Sequence, residues 1–138
     1  MANTTATFSL NSNDLLTTAP LSISTSNNLL KAGLQIGLDQ IKHGVVIADT
    51  TQRDIVDATT DGVNKANWIY LVNKETDPTL YVTVTVASTT LGRLYSGDWM
   101  FLPCNFADAS HDITIQASSG TQFMEFAHIH EGENLTAS

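Results

Sequence analysis

The sequence predicts an all-β protein, an antiparallel β-sandwich or jelly-roll-like barrel with a less regular N-terminal arm. The first observation behind this prediction is a strict alternation of apolar and polar residues in Leu80–Val86, the period of a half-buried strand. The second is the β-branched character of both faces of that segment. The third is the rhythm of the chain after residue 67, where short strand-like segments recur at roughly ten-residue spacing, as in sandwiches and barrels.

The N-terminal half is less regular. Ala6–Leu10 and Leu21–Ser24 alternate like short strands, and Val45–Ala48 is a short apolar run typical of another strand. Asn13–Leu16 could begin one helical turn. The polar composition of Asp49–Lys65 predicts a loop.

The C-terminal half consists of strand pairs separated by polar turns. Such turns contain Pro or Ser-Gly, residues that favour a change of chain direction. Each pair is therefore expected to form a β-hairpin, and together the hairpins form a meander. The three predicted hairpins join Trp68–Val72 to Leu80–Val86, Leu91–Tyr95 to Trp99–Leu102, and Asp112–Gln116 to Gln122–Ile129.

Size and composition exclude several functions. A chain of 138 residues fits a single domain, 1–138, within which residues 1–30 are a candidate extended arm. Whether the N-terminal half adds a second sheet or an arm stays open. With 6 Lys and Arg against 14 Asp and Glu, the chain has no basic patch for nucleic acid, and no apolar run is long enough for a membrane span.

The first residues of the chain and its lone cysteine support two separate expectations, one on where the protein is made and one on the core. The first residues lack the basic start and apolar core of a secretory signal, so synthesis in a cytoplasm is expected. The lone Cys104 lies in an apolar stretch, which predicts a buried, inert thiol.

The sequence contains one candidate metal site and no recognisable catalytic motif. His128 and His130 are two residues apart, so in a strand they face the same side, and Glu131 could add a carboxylate ligand. Exposed or loosely packed histidines are the favoured alternative. A Gly-X-Ser-X-Gly elbow and a Gly-rich phosphate loop are both absent from the sequence. We therefore expect no enzymatic activity and no cofactor.

Aromatic and large apolar residues are the candidates for a contact surface. An uncharged, Thr-rich sheet face that carries Tyr and Trp is typical of the centre of a protein–protein interface. Trp68, Tyr70 and Tyr81 are expected near the first hairpin, and Tyr95 and Trp99 near the second. Each of these residues could instead pack in the core. The interface candidates are Phe8, Leu10, Trp68, Tyr70, Tyr81, Tyr95 and Trp99.

The stretch Trp68–Pro103 resembles small virion structural proteins of tailed bacteriophages, especially those of marine cyanobacteria. The resemblance depends on Ile69–Asn73 before a polar turn, Leu80–Val84 after it, and then Leu91–Trp99 with its Gly-Asp-aromatic turn. The opening Met1–Thr5 and the Thr-, Ser- and Asn-rich composition are also similar. These motifs are structural, so the resemblance transfers no catalytic residues.

This resemblance implies a β-sandwich protein on the outside of a virion, made in the host cytoplasm. The leading hypothesis is a capsid decoration (cement) protein that binds the major capsid protein as a homo-oligomer, with a trimer favoured by symmetry. A tail, neck or fibre protein is the second hypothesis. A small metal-dependent β-barrel protein using His128, His130 and Glu131, and a carbohydrate-binding module using Trp68 or Trp99, are alternatives from other classes.

Overall fold

The computed structural model describes residues 4–14, 20–30, 37–38, 40–56, 66–104 and 111–130. All regular elements of these residues are β-strands, which confirms the predicted all-β class. The strands are β1 Thr5–Ser12, β2 Leu21–Asn28, β3 Gln40–Ala48, β4 Arg53–Val56, β5 Asn67–Asn73, β6 Tyr81–Val86, β7 Thr89–Tyr95, β8 Trp99–Pro103, β9 Ile113–Ala117 and β10 Gln122–His130.

Eight of these strands form two four-stranded antiparallel sheets. The first sheet has the order β3-β10-β5-β8 and the second has the order β4-β9-β6-β7. Strands that follow each other in the chain thus occupy matching positions in the two sheets: β3 with β4, β5 with β6, β7 with β8, and β9 with β10. This is the order of a double-sheet jelly roll.

The core lies between the two sheets. The first sheet contributes Ile69, Leu71 and Met124, each fully buried, and the second contributes Val82 and Val84. The other residues in the alternation of β6, namely Tyr81, Thr83 and Thr85, lie on the outer face, as the sequence pattern predicts. Cys104 is also buried against this core, which confirms its predicted place.

The predicted strands after residue 67 are all present, but the predicted hairpins are wrong. β5 pairs with β10 and β8, whereas β6 pairs with β7 and β9. The polar segments after β5, β7 and β9 therefore carry the chain from one sheet to the other. A turn motif marks a change of direction and does not specify whether the next strand joins the same ladder or the opposite sheet.

The hairpin that does form in this half joins β6 to β7 through Ala87 and Ser88. Ala87 has a φ of 55°, the left-handed region that is costly for residues with a Cβ atom. Because this pair contains neither Gly nor Asn, it carries none of the strong signals for a two-residue hairpin turn. Sequence reasoning consequently placed the hairpins elsewhere.

The predicted loop Asp49–Lys65 is also wrong in part. Residues 53–56 form β4, an edge strand that pairs with β9, with a register shift between Asp54 and Val56. Val56 is buried in the core, and this burial stabilises a strand whose flanking residues are polar. Asn13 and Asp14 form a bend, and the rest of the suggested helical turn, Leu15 and Leu16, lies outside the described residues.

The first two strands form a separate two-stranded antiparallel ribbon, called the ribbon below. Its eight residue pairs run without a register shift from Thr5 opposite Asn28 to Ser12 opposite Leu21. Backbone hydrogen bonds from Leu29 N to Thr4 O (2.8 Å) and from Leu38 N to Leu29 O (3.0 Å) join its base to the chain that leads to β3. The segment that looked irregular in sequence is thus a regular β-ribbon.

Candidate functional site

The outer face of the first sheet carries five of the ten large apolar side chains that stay exposed among the described residues. Alternation places the buried residues of its four strands toward the core, so the residues between them face outward. Three strands of this face carry aromatic residues: Trp68 and Tyr70 on β5, Trp99 and Phe101 on β8, and Phe123 on β10. Such a surface is typical of contact with another molecule.

The ribbon covers part of this face and leaves a groove between itself and the sheet, called the aromatic groove below. The groove has a volume of about 580 Å³. Trp68 stacks on Phe101 at its floor, with ring centroids 5.0 Å apart, and Phe8 of the ribbon meets Trp99 at 6.3 Å. Tyr70 lines the same groove, and Trp99 remains 53% exposed. Trp68, Tyr70, Trp99 and Phe8 are thus brought together, as candidates for one contact surface.

A small second core holds the base of the ribbon on the sheet. Leu29, Leu38 and Ala66 are buried there, with exposures of 1 to 3%. Ala6 of the ribbon packs against this cluster, together with Trp68, Phe101 and Ile129 of the first sheet. The ribbon is thereby anchored at its base by apolar contacts.

The ribbon itself has one apolar and one polar face. Ala6, Phe8 and Leu10 alternate on β1, and the register places Ile23 opposite Leu10. The other face carries only Thr, Ser and Asn, such as Ser9. Leu10 and Ile23 lie toward the free end of the ribbon, beyond the contact of Phe8 with Trp99, and each is 46% exposed.

The half of the outer face formed by β3 and β10 carries a second exposed group, called the apolar strip below. Sequence reasoning missed all of its members. In the sequence, the alternation of Ile41, His43, Val45 and Ile47 indicates this outward face. The sequence predicts a strand only for Val45–Ala48, however, and this prediction assigns no side chain of β3 to an outward face. The strip consists of Ile41, Val45, Ile47 and Phe123, with exposures of 63%, 65%, 45% and 54%.

A small charged cluster lies on the same face. Glu125 is opposite Val45 on β3, and its carboxylate accepts a hydrogen bond from His43 Nε2 at 3.2 Å. Lys74 Nζ lies 3.4 Å from the other carboxylate oxygen. The bond from His43, and then that from Lys74, lowers the pKa of Glu125 below its ordinary value. The acid is thus neutralised locally, and the outer face keeps a low net charge.

Two predicted contact residues, Tyr81 and Tyr95, lie on the opposite side of the molecule. They face each other across β6 and β7 on the outer face of the second sheet, with ring centroids 5.2 Å apart, and the Arg93 guanidinium lies 4.3 Å from the centre of the Tyr81 ring. The expected grouping of Tyr81 with Trp68, and of Tyr95 with Trp99, is therefore wrong. It followed from the wrong hairpins.

His128 and His130 do come together on one side of β10, with stacked rings 4.7 Å apart. That side faces the interior: His128 is 1% exposed, and its Nε2–H donates to Asn67 Oδ1 at 2.8 Å. This hydrogen bond offsets part of the cost of burying the ring, and the expectation of exposed or loosely packed histidines is wrong for His128. Glu131 lies outside the described residues. Within the described ranges, no three His, Cys, Asp or Glu side chains are grouped as metal ligands.

A buried amide pair, Asn73 and Gln122, links the two sheets. Asn73 Nδ2 donates to Leu94 O of β7 at 2.8 Å and to Gln122 Oε1 at 3.1 Å. Gln122 Nε2 donates to Tyr81 O of β6 at 3.0 Å. Both side chains are fully buried. The sequence places Asn73 in a polar turn and Gln122 at the start of a strand, and neither position indicates that the two side chains meet.

No family model, curated protein or solved structure matches this chain. In the part of the chain that the structure describes, no helix has the length and apolar character needed to cross a membrane.

Proposed function

We propose that this protein is a structural component of a bacteriophage virion, a capsid decoration protein that binds the outer capsid lattice and stabilises it. The observation that supports the proposal best is the aromatic groove, an open apolar surface with Trp99 53% exposed at its edge. Trp and Tyr are the residues that most often dominate the energy of protein–protein contacts. The sequence resemblance suggests the capsid as the partner.

The fold is compatible with this role without singling it out. Double-sheet jelly rolls occur in viral capsid domains, in lectins and in cupins, and a fold by itself does not specify a function. Binding across the joints between capsid subunits would add buried area to the assembled shell and so stabilise it by mass action. A homotrimer suits a threefold site of the lattice.

Copy number in purified virions tests the location. Quantitative mass spectrometry is expected to find a number of copies close to the number of equivalent lattice sites. A few copies per particle would contradict the decoration role and favour the tail, neck or fibre alternative. Absence from the particle would contradict both.

Binding to particles that lack the protein tests the groove. Trp99→Ala is expected to weaken co-sedimentation with such particles by roughly 30-fold, the effect of losing about 2 kcal/mol at an interface hot spot. Tyr95→Ala is the matched control, because it removes an aromatic residue of similar exposure (38%) from the opposite face. Equal binding by both variants would show that the groove is not the contact.

A carbohydrate ligand is the second candidate, because Thr25, Ser26 and Asn27 border the groove beside the aromatic rings. The same two variants separate the two partners. Glycan-array binding that is lost in Trp99→Ala, together with unchanged particle binding, would assign the groove to sugars.

A further inference from the structure

We infer that the ribbon of one copy docks on the apolar strip of a second copy, so that copies of this chain associate head to tail. The occupant of the strip is thus the free half of a neighbour's ribbon, around Leu10 and Ile23. This contact is separate from the aromatic groove proposed for the capsid, and it forms in the free protein.

The first argument is continuity with a contact that already exists. Within one copy, the apolar face of the ribbon lies on the outer face of the first sheet, through Ala6 in the second core and Phe8 against Trp99. The same ribbon face continues to Leu10 and Ile23, which are uncovered. The same sheet face continues to the apolar strip on β3 and β10, which is also uncovered. In the proposed contact, the apolar strip of a second copy covers Leu10 and Ile23, in the way that the outer face of the first sheet covers the base of the ribbon within one copy.

The second argument is charge. The chain has a net charge of −8, so most approaches between two copies are repulsive. Residues 1–30 contain a single charged side chain, Asp14, so this part of the chain approaches another copy with little repulsion. On the receiving face, the carboxylate of Glu125 is paired with Lys74 and His43.

The third argument is size. The free half of the ribbon, four residues on each of two strands, covers roughly 14 by 10 Å. The strip spans Ile41–Ile47, about 20 Å of strand, and so accommodates it. One such contact is small compared with the ~800 Å² per partner of a stable interface. Head-to-tail docking adds a second contact for a copy that uses both its ribbon and its strip, so the assembly is expected to depend on protein concentration.

Sedimentation of the unmodified protein and three variants tests the inference. Leu10→Asp charges the apolar face of the ribbon, and Val45→Asp charges the strip. Ser9→Asp is the matched control, since it places the same charge on the neighbouring residue of the polar face. Because all three side chains are exposed, circular dichroism is expected to show an unchanged fold.

The expected result is an oligomer for the unmodified protein and for Ser9→Asp, and a monomer for both Leu10→Asp and Val45→Asp. Loss of assembly in Val45→Asp alone would indicate sheet-to-sheet docking, and loss in Leu10→Asp alone would indicate ribbon-to-ribbon docking; either overturns the inference. A monomeric unmodified protein at every concentration overturns it as well. None of these outcomes depends on binding to a capsid, which the Trp99→Ala experiment tests.

Discussion

Replacing Asn73 by Leu, a residue of similar size, tests whether the buried amide pair joins the two sheets. The Asn73 side chain makes three hydrogen bonds: Nδ2 donates to Leu94 O at 2.8 Å and to Gln122 Oε1 at 3.1 Å, and Oδ1 accepts from Glu75 N at 2.9 Å. Leu removes all three and leaves Gln122 Oε1 buried without a donor, whereas Leu94 O remains in the β6–β7 ladder. An orphaned buried oxygen costs about 1–3 kcal/mol, and each lost hydrogen bond about 0.5–1.5 kcal/mol.

We therefore expect Asn73→Leu to lower the free energy of unfolding by about 3 kcal/mol, a large share of the roughly 5–15 kcal/mol typical of a domain. Urea unfolding followed by Trp fluorescence, at one fixed protein concentration, measures it. Gln116→Met is the control, because its bond to Thr50 O is exposed and its loss is expected to cost less than about 0.5 kcal/mol. A loss for Asn73→Leu no larger than that of the control would refute the reasoning.

A double-mutant cycle with Gln122→Met separates the pair from its surroundings. Asn73→Leu alone leaves Gln122 Oε1 without a donor, and the double variant no longer contains this oxygen. The two single losses should thus exceed the loss in the double variant by about 1 kcal/mol. Strictly additive losses would mean that the two amides stabilise the fold independently.

Two further predictions concern the two faces of the sheets and the charged cluster. Val84→Thr is expected to lower the free energy of unfolding by about 1–3 kcal/mol, because it buries a hydroxyl group in the core. Val45→Thr on the apolar strip is expected to lower it by less than about 0.5 kcal/mol. Equal losses in urea unfolding would contradict the assigned faces. The lowered pKa of Glu125 means that its ion pairs stabilise the fold above the pKa of Glu in the unfolded chain, and that this contribution disappears as the pH falls through the folded-state pKa. In an NMR titration, His43→Gln should raise the midpoint of the Glu125 carboxyl, and an unchanged midpoint would show that His43 does not interact with it.

The strand positions follow from local sequence, and their pairing does not. The alternation of Val82 and Val84 with Thr83 and Thr85 specifies a strand and its buried face, because the side-chain period of a strand is two and one face must leave water. Nothing in that alternation identifies β9 as a neighbour, since any strand of similar pattern offers the same hydrogen-bonding edge.

Burial by distant strands also decided features that the local pattern obscures. The local sequence of β4 predicts a polar loop, but in the structure Val56 is buried beside β9. The local sequence around Asn73 predicts a turn residue, but in the structure its side chain bonds to Gln122 and to the carbonyl of Leu94. In both cases the stabilising contacts come from residues far away in the sequence.

For the candidate site, the sequence by itself predicted Trp68, Tyr70, Trp99 and Phe8 as contact candidates, because aromatic residues among small neutral ones are typical of a surface that costs little to desolvate. Only the tertiary structure decided that these residues meet in one groove, and that Tyr81 and Tyr95 lie on the opposite face. The physical reason is that a chain crossing between two sheets sends neighbouring segments to opposite sides of the molecule. Which residues share a surface is then set by packing between strands that are distant in sequence.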